Sequence, residues 1–264
     1  MPELANDLAL SKKIQSVKAS GIRIFDNKVS TIPGIIKLTL GEPDMNTPEH
    51  VKTAAIESIR NNDSHYAPQK GKLELRQAIS NYLKKATGVV YDPETEIVVT
   101  VGATEAINAT LFSITNPGDK VAIPTPVFSL YWPVATLADA DYVLMNTSED
   151  NFKLTPERLE STLKEESNIK AVILNYPVNP TGVEYTESEI RALAEVIKAH
   201  NLYVITDEIY STLTYGVKHF SIASVIPERA IYISGLSKSH AMTGYRLGYV
   251  AGPAKIMEQI GKVH

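Results

Sequence analysis

The sequence predicts an α/β fold built on a mostly parallel sheet, and three observations predict it. Short, almost uninterrupted apolar runs recur from Ile97 onward, among them 97–101, 170–176 and 230–234. Strands so apolar need cover on both faces, as parallel strands do. Between them lie longer stretches whose apolar residues recur at helical spacing, and strands alternating with helices read as parallel crossover units. Finally, the chain has 264 residues and is 44% hydrophobic, enough for a full core in one large domain or in one domain plus a small annex.

Taken in order, residues 8–19 have helical periodicity that stops near Gly21, an arm or annex helix ahead of the main domain. The apolar run 35–40 reads as a strand ending in Gly41-Glu42-Pro43-Asp44. Pro48 then opens a helix to Arg60, with Thr47 as its expected N-cap. Polar residues 61–71 form a loop and 73–85 a second amphipathic helix. Beyond it come strand 97–101, helix 103–114, the turn Asn116-Pro117-Gly118-Asp119 and strand 120–123. Residues 127–138 read as a helix bent or interrupted by Pro133. Strand 142–145, helix 155–163 and strand 170–176 lead to the turn Asn179-Pro180-Thr181-Gly182. Helix 186–199 carries Glu189 at a capping-box position. Strands 202–206, 230–234 and 248–251 follow, and Pro253 starts a last helix. Sheets of this kind bind ligands at the carboxyl ends of their strands.

Composition narrows the function classes. With 21% charged residues and a mean hydropathy of −0.09, the chain reads as an ordinary soluble protein. A net charge of −4 gives no electrostatic reason to expect nucleic acid. The absence of cysteine excludes disulfides, thiolate metal sites and cysteine nucleophiles. The histidines are scattered without metal-ligand spacing, so no metal is expected. No signal peptide or membrane-length apolar run is seen, and the cytoplasm is the default location.

The chemistry concentrates in residues 234–248, Ser-Gly-Leu-Ser-Lys-Ser-His-Ala-Met-Thr-Gly-Tyr-Arg-Leu-Gly. A lone lysine is ordinarily a solvated charge. Here Lys238 stands among small hydroxyl residues, with glycines that leave room for a bound group and Arg246 to attract an anion such as phosphate. A nearby cation disfavours the ammonium form, which makes Lys238 a usable nucleophile toward an aldehyde. That combination describes a lysine carrying pyridoxal phosphate. Gly102, Ala103 and Thr104 sit between a strand and a helix, where a tight turn and free N–H groups face an anion. Taken alone, that segment is a turn and cap found in many α/β proteins. Asp207, isolated, would be a strand-end carboxylate capping a loop. Asn179 would be an ordinary turn residue, Phe128 a core aromatic and Tyr66 a surface-loop tyrosine.

Together these segments resemble the class I/II pyridoxal-phosphate aminotransferases of fold type I, from Gly41 to Gly248. Ser20-Gly21-Ile22-Arg23 and Ser237-Lys238-Ser239-His240-Ala241-Met242-Thr243-Gly244 are similar to the bacterial aminotransferase A type and the aromatic aminotransferases of lactic acid bacteria. The resemblance implies a three-layer α/β/α large domain over 35–264, with 1–34 an N-terminal arm or part of a small domain. It implies Lys238 as the catalytic lysine, joined to pyridoxal 5′-phosphate as an imine. It implies Gly102, Ala103, Thr104, Ser234, Ser237 and Arg246 around the phosphate, and Phe128 stacked on the ring. Asp207 would stand at the ring nitrogen, keeping the ring an electron sink. Asn179 and Tyr210 would stand at the phenolic oxygen, lowering the pKa of the imine. Tyr66 would reach the phosphate of a neighbouring subunit in a homodimer. Gly41 and Asn179 would face an amino acid or 2-oxo acid substrate of aromatic, aspartate or diaminopimelate type. Gly235 stands where the family often has serine, which leaves open whether Ser234 or Ser237 contacts phosphate. Family members continue past this C-terminus with the rest of the small domain and a carboxylate-gripping arginine, so the chain reads as truncated at the interdomain helix. A cofactor-holding fragment without activity, and a related lyase, are the alternatives.

Overall fold

The structure, a computed structural model, describes residues 9–264. Four helices come first: α1 (Lys12–Ser16), α2 (Gly21–Val29), α3 (Glu49–Arg60) and α4 (Leu73–Thr87). Strands and helices then alternate through β1 (Ile97–Val101), α5 (Gly102–Ile114), β2 (Lys120–Thr125), α6 (Tyr131–Leu137), β3 (Asp141–Asn146), α7 (Pro156–Glu165), β4 (Ile169–Asn175), α8 (Glu187–Ala199) and β5 (Tyr203–Asp207). The chain closes with β6 (Ala230–Gly235), the single turn α9 (Leu236–Ser239), β7 (Leu247–Ala251) and α10 (Ala254–Val263).

The seven strands form one sheet in the order β1-β7-β6-β5-β4-β2-β3, and only β7 runs antiparallel to its neighbours. Alternate residues of the central strands feed two cores. Val172, Leu174 and Val204 face α4, α7 and α8, while Ala171, Ile173 and Ile205 face α5, α6 and α10. The expected three layers and mostly parallel sheet are both present. The topology brings the carboxyl ends of β1, β2, β4, β5 and β6 to a single edge, where β7 begins. Every segment singled out for its chemistry from Gly102 onward therefore reaches that edge.

Local chemistry explains several boundaries. Thr155 accepts a hydrogen bond from the Arg158 N–H at 3.2 Å, with Pro156 in the first turn of α7. Thr186 and Glu189 form the expected capping box on α8. The expected helix 127–138 begins only at Tyr131, which places Pro133 in the first turn, where its missing N–H costs nothing.

Three expectations at the N-terminal end fail. The expected helix 8–19 shrinks to the short α1, and Gly21, expected to mark its end, starts a separate helix, α2; Leu8 lies outside the described residues. Residues 35–40 form no strand: an apolar run becomes a strand only with a ladder partner, and these residues pair with none of the seven strands. The Val99 N–H on β1 already donates to the Lys70 carbonyl at 3.1 Å, and Ile36 and Leu38 stand 86% and 91% exposed. Thr47 does not cap α3: its hydroxyl donates to the Ala241 carbonyl at 2.6 Å, tying the N-terminal segment to the loop after α9, and Pro48 occupies the N-cap position. No helix among the described residues is long and apolar enough to cross a membrane.

Candidate active site

At the sheet's carboxyl edge lies a cavity of about 600 Å³. Lys238, Asp207, Tyr210, Asn179, Phe128, Ala103, Thr104, Ser237, Arg246 and Gly41 all line it. Gly102 stands just behind, beneath the Arg246 guanidinium.

Each side chain is placed by the strand it follows. Asp207 ends β5, where it is 4% exposed. Its Oδ2 accepts the Tyr131 hydroxyl at 2.7 Å and its Oδ1 the Ile209 N–H at 3.3 Å. Burial pushes this carboxyl up to about 6, against the lowering pull of those two hydrogen bonds. Tyr131 is itself held well above the usual phenol range, by burial and by the Asp207 charge, so it stays a donor. Asn175 ends β4; its amide donates to the Asp207 carbonyl at 3.0 Å, and its Oδ1 accepts the Asn179 N–H at 2.9 Å. Asn179 in turn donates to the Tyr210 hydroxyl at 3.3 Å.

Lys238 sits on α9, just past the buried end of β6. Its ammonium donates to the Gly41 carbonyl and stands 5.8 Å from the centre of the Tyr210 ring. Partial burial holds it below the usual lysine range; Glu42 opposes the shift and Arg246 reinforces it. Arg246 immediately precedes β7 in a left-handed conformation, φ 53°, and its Nη1 donates to the Thr243 carbonyl at 3.0 Å. Gly102 has φ 75°, and a Cβ there would collide with the Arg246 guanidinium. A Cβ on Gly248 would collide with the Gly102–Ala103 backbone. These two glycines let α5 start against β7, which brings a helix N-terminus and a guanidinium together.

Two expected residues fall elsewhere. Ser234 is buried and its hydroxyl donates to the Glu208 carbonyl at 3.4 Å, so of the two serines Ser237 lines the cavity. Tyr66 is fully exposed and is not among the lining residues of its own chain. Sequence reasoning gave no role to Arg23, on α2, quoted only within Ser20-Gly21-Ile22-Arg23, or to Asn175, which falls within strand 170–176; both line the cavity. Tyr131 also lines the cavity, and its bond to Asp207 joins residues far apart in sequence.

The family model described as aminotransferase class I and II matches residues 33–264. The chain belongs to that family. It is 45% identical over 255 residues to a Bacillus subtilis protein described as a probable N-acetyl-LL-diaminopimelate aminotransferase, covering 97% of this chain and 64% of that one. It is 39% identical to aromatic-amino-acid aminotransferase 2 of Thermococcus litoralis, covering 96% and 66%. Among solved structures, the aspartate aminotransferase of Thermus thermophilus with maleate superposes with a TM-score of 0.93 at 34% identity, covering 97% and 68%. The chain thus spans about two thirds of the length of the relatives it matches.

The family depends on pyridoxal phosphate, and the residues present fit that group. Among the described residues, Asp207, Arg246 and Lys238 each lack an oppositely charged side chain within 4.0 Å. A buried carboxylate without a cation suits a ring nitrogen that carries a proton. A guanidinium beside a helix N-terminus suits a phosphate. An amine below its usual range suits an aldehyde.

Proposed function

We propose that the chain is the cofactor-binding part of an aminotransferase that moves an amino group between an L-amino acid and a 2-oxo acid. The observation that carries the reading is the set of three unpaired ionisable groups converging on one cavity. Lys238 would hold pyridoxal phosphate covalently. Arg246, Ser237, Thr104 and the Gly102–Ala103 N–H groups would hold its phosphate, and Asp207 its ring nitrogen. Asn179 and Tyr210 would hold its phenolic oxygen, with Phe128 against the ring. When bound, the cofactor supplies an electron sink for the pair left at the substrate α-carbon. Lys238, freed once the substrate amine takes its place and held below its usual range, would be the base that takes the proton from that carbon and returns one later. Tyr131 keeps the Asp207 carboxylate aimed, and Gly41 presents its carbonyl at the same mouth.

The substrate reading stays within aromatic, aspartate and diaminopimelate-type donors, and the 45% identity to the Bacillus subtilis protein supports testing the last of these first. The reading includes a cytoplasmic homodimer in which Tyr66 reaches the neighbouring subunit's phosphate, a role its full exposure leaves open to it.

Borohydride reduction of the protein mixed with pyridoxal phosphate, followed by peptide mapping, is expected to place the pyridoxyl label on Lys238. Lys238→Ala should take none. A panel of amino donors with 2-oxoglutarate should then give keto acid. A label on another lysine overturns the assignment. A labelled Lys238 with no keto acid from any donor favours the cofactor-holding alternative, and elimination products in place of keto acid favour the lyase.

A further inference from the structure

Behind the cavity, on the opposite side of the β5 strand end, lies a second buried polar cluster. Its centre is Glu208, fully buried, the residue after Asp207. Glu208 Oε1 accepts the hydroxyls of Thr206 and Ser221 at 2.7 Å and that of Tyr176 at 3.2 Å. Glu208 Oε2 lies 2.7 Å from His219 Nε2, and the other ring nitrogen of His219, Nδ1, lies 3.1 Å from Glu184 Oε2. The Tyr176 ring packs on the imidazole, 5.1 Å between centres. An imidazole flanked by carboxylates on both nitrogens is a donor on both sides, hence a cation.

Those two carboxylates belong to the two loops that carry site residues. Glu208 opens the loop that bears Tyr210, and His219 closes it. Glu184 follows the turn that bears Asn179, whose neck is tied by the Val183 carbonyl accepting the Val178 N–H at 2.9 Å. Asn179 and Tyr210 meet at 3.3 Å over the cavity. We infer that His219 is a positioning residue: a charged cross-brace, remote from the cavity lining, that holds the Asn179 loop against the Tyr210 loop and so fixes both side chains. The inference rests on the cofactor-site reading only for what the two side chains hold, because the brace itself is a property of the free protein. Removing the imidazolium would leave the buried Glu208 and the partly buried Glu184 without the cation between them, the costly case for a buried charge. Removing Glu184 alone would leave the Glu208 pair intact and free only the Asn179 side.

The test uses cofactor-free protein first. Backbone hydrogen exchange in His219→Gln is expected to rise by about tenfold or more in both loops, 177–186 and 208–220, with strands β4 to β7 unchanged. Glu184→Gln, whose brace is broken on one side, should show the rise in 177–186 alone, and it keeps the idea testable if His219→Gln fails to fold. Fluorescence titration with pyridoxal phosphate should then show weaker binding by about tenfold in each variant that folds, and the pH midpoint of the bound cofactor's absorbance should move, a signature that loss of stability alone would not give. Unchanged exchange in both loops overturns the brace, as does exchange rising evenly through the strands. A wild-type chain that binds no pyridoxal phosphate would sink the cofactor reading while leaving the exchange result to decide on the brace.

Discussion

Among the described residues, no cationic side chain stands within 4.0 Å of the buried Asp207 carboxylate. A carboxylate pushed up to about 6 by burial is ionised at neutral pH at the expense of folding. A displacement of roughly two pKa units corresponds to about 3 kcal/mol, an upper figure for what neutralising it would return. Asp207→Asn keeps an acceptor for the Tyr131 hydroxyl. It is therefore expected to raise the denaturation midpoint of the cofactor-free protein at pH 7 while weakening pyridoxal phosphate binding by about a hundredfold or more. Equal midpoints, or unaltered binding, would contradict that account. Tyr131→Phe should do the reverse to stability. It strips Oδ2 of the Tyr131 hydroxyl in a buried setting, at a cost of about 1–3 kcal/mol, readable in the same unfolding experiment.

At the scale of elements, the site depends on how closely α5 starts against β7. Gly248→Ala would wedge a methyl between them, parting the α5 N-terminus from Arg246. The expected loss is selective: affinity for pyridoxal phosphate should fall by about tenfold or more, while affinity for unphosphorylated pyridoxal changes little. Thr155→Ala, which removes the cap of α7 on the far side of the sheet, is expected to cost about 1 kcal/mol of stability with no change in that preference. These cases also mark what could be read from the chain. The capping box at Thr186 and Glu189, the buried strands and the Lys238 segment were legible because each is specified by neighbours in sequence. Residues 35–40 misled because a strand is defined by its partner, which an apolar run does not name. The Tyr131–Asp207 bond and the Glu184–His219–Glu208 brace were illegible for the same reason. They join residues that only the folded sheet brings together, and Ser234 turned inward because Glu208 offered its carbonyl there.

For the whole molecule, the buried ionisable groups set a pH profile of stability. His219 is raised to about 9 by Glu184 and Glu208, with burial opposing. A raised histidine stabilises fully below its unfolded value of about 6.5 and loses that contribution as pH climbs through about 9. Asp207 is raised too, so the folded protein holds its proton more tightly, and stability declines as pH rises from the ordinary carboxylate value to about 6. Both groups push the same way, in separate windows. Below them the sign reverses. Burial opposes the shift at Asp119 and Glu189, yet these two, like Asp63 and Asp92, are held below the usual carboxylate range by their hydrogen bonds and neighbouring cations, and protonating them costs stability at lower pH. The cofactor-free chain should therefore be most stable on the acid side of neutrality. Melting temperatures recorded across pH 4–10 separate the contributions: His219→Gln should flatten the fall between about pH 7 and 9.5, and Asp207→Asn the fall between about pH 4 and 6. Pyridoxal phosphate, by giving Asp207 a cationic partner, should erase the second fall in the unaltered chain and leave the first. A cofactor that erased neither, or a His219→Gln profile as steep as the parent's above pH 7, would mean that these charges are not held where the structure puts them.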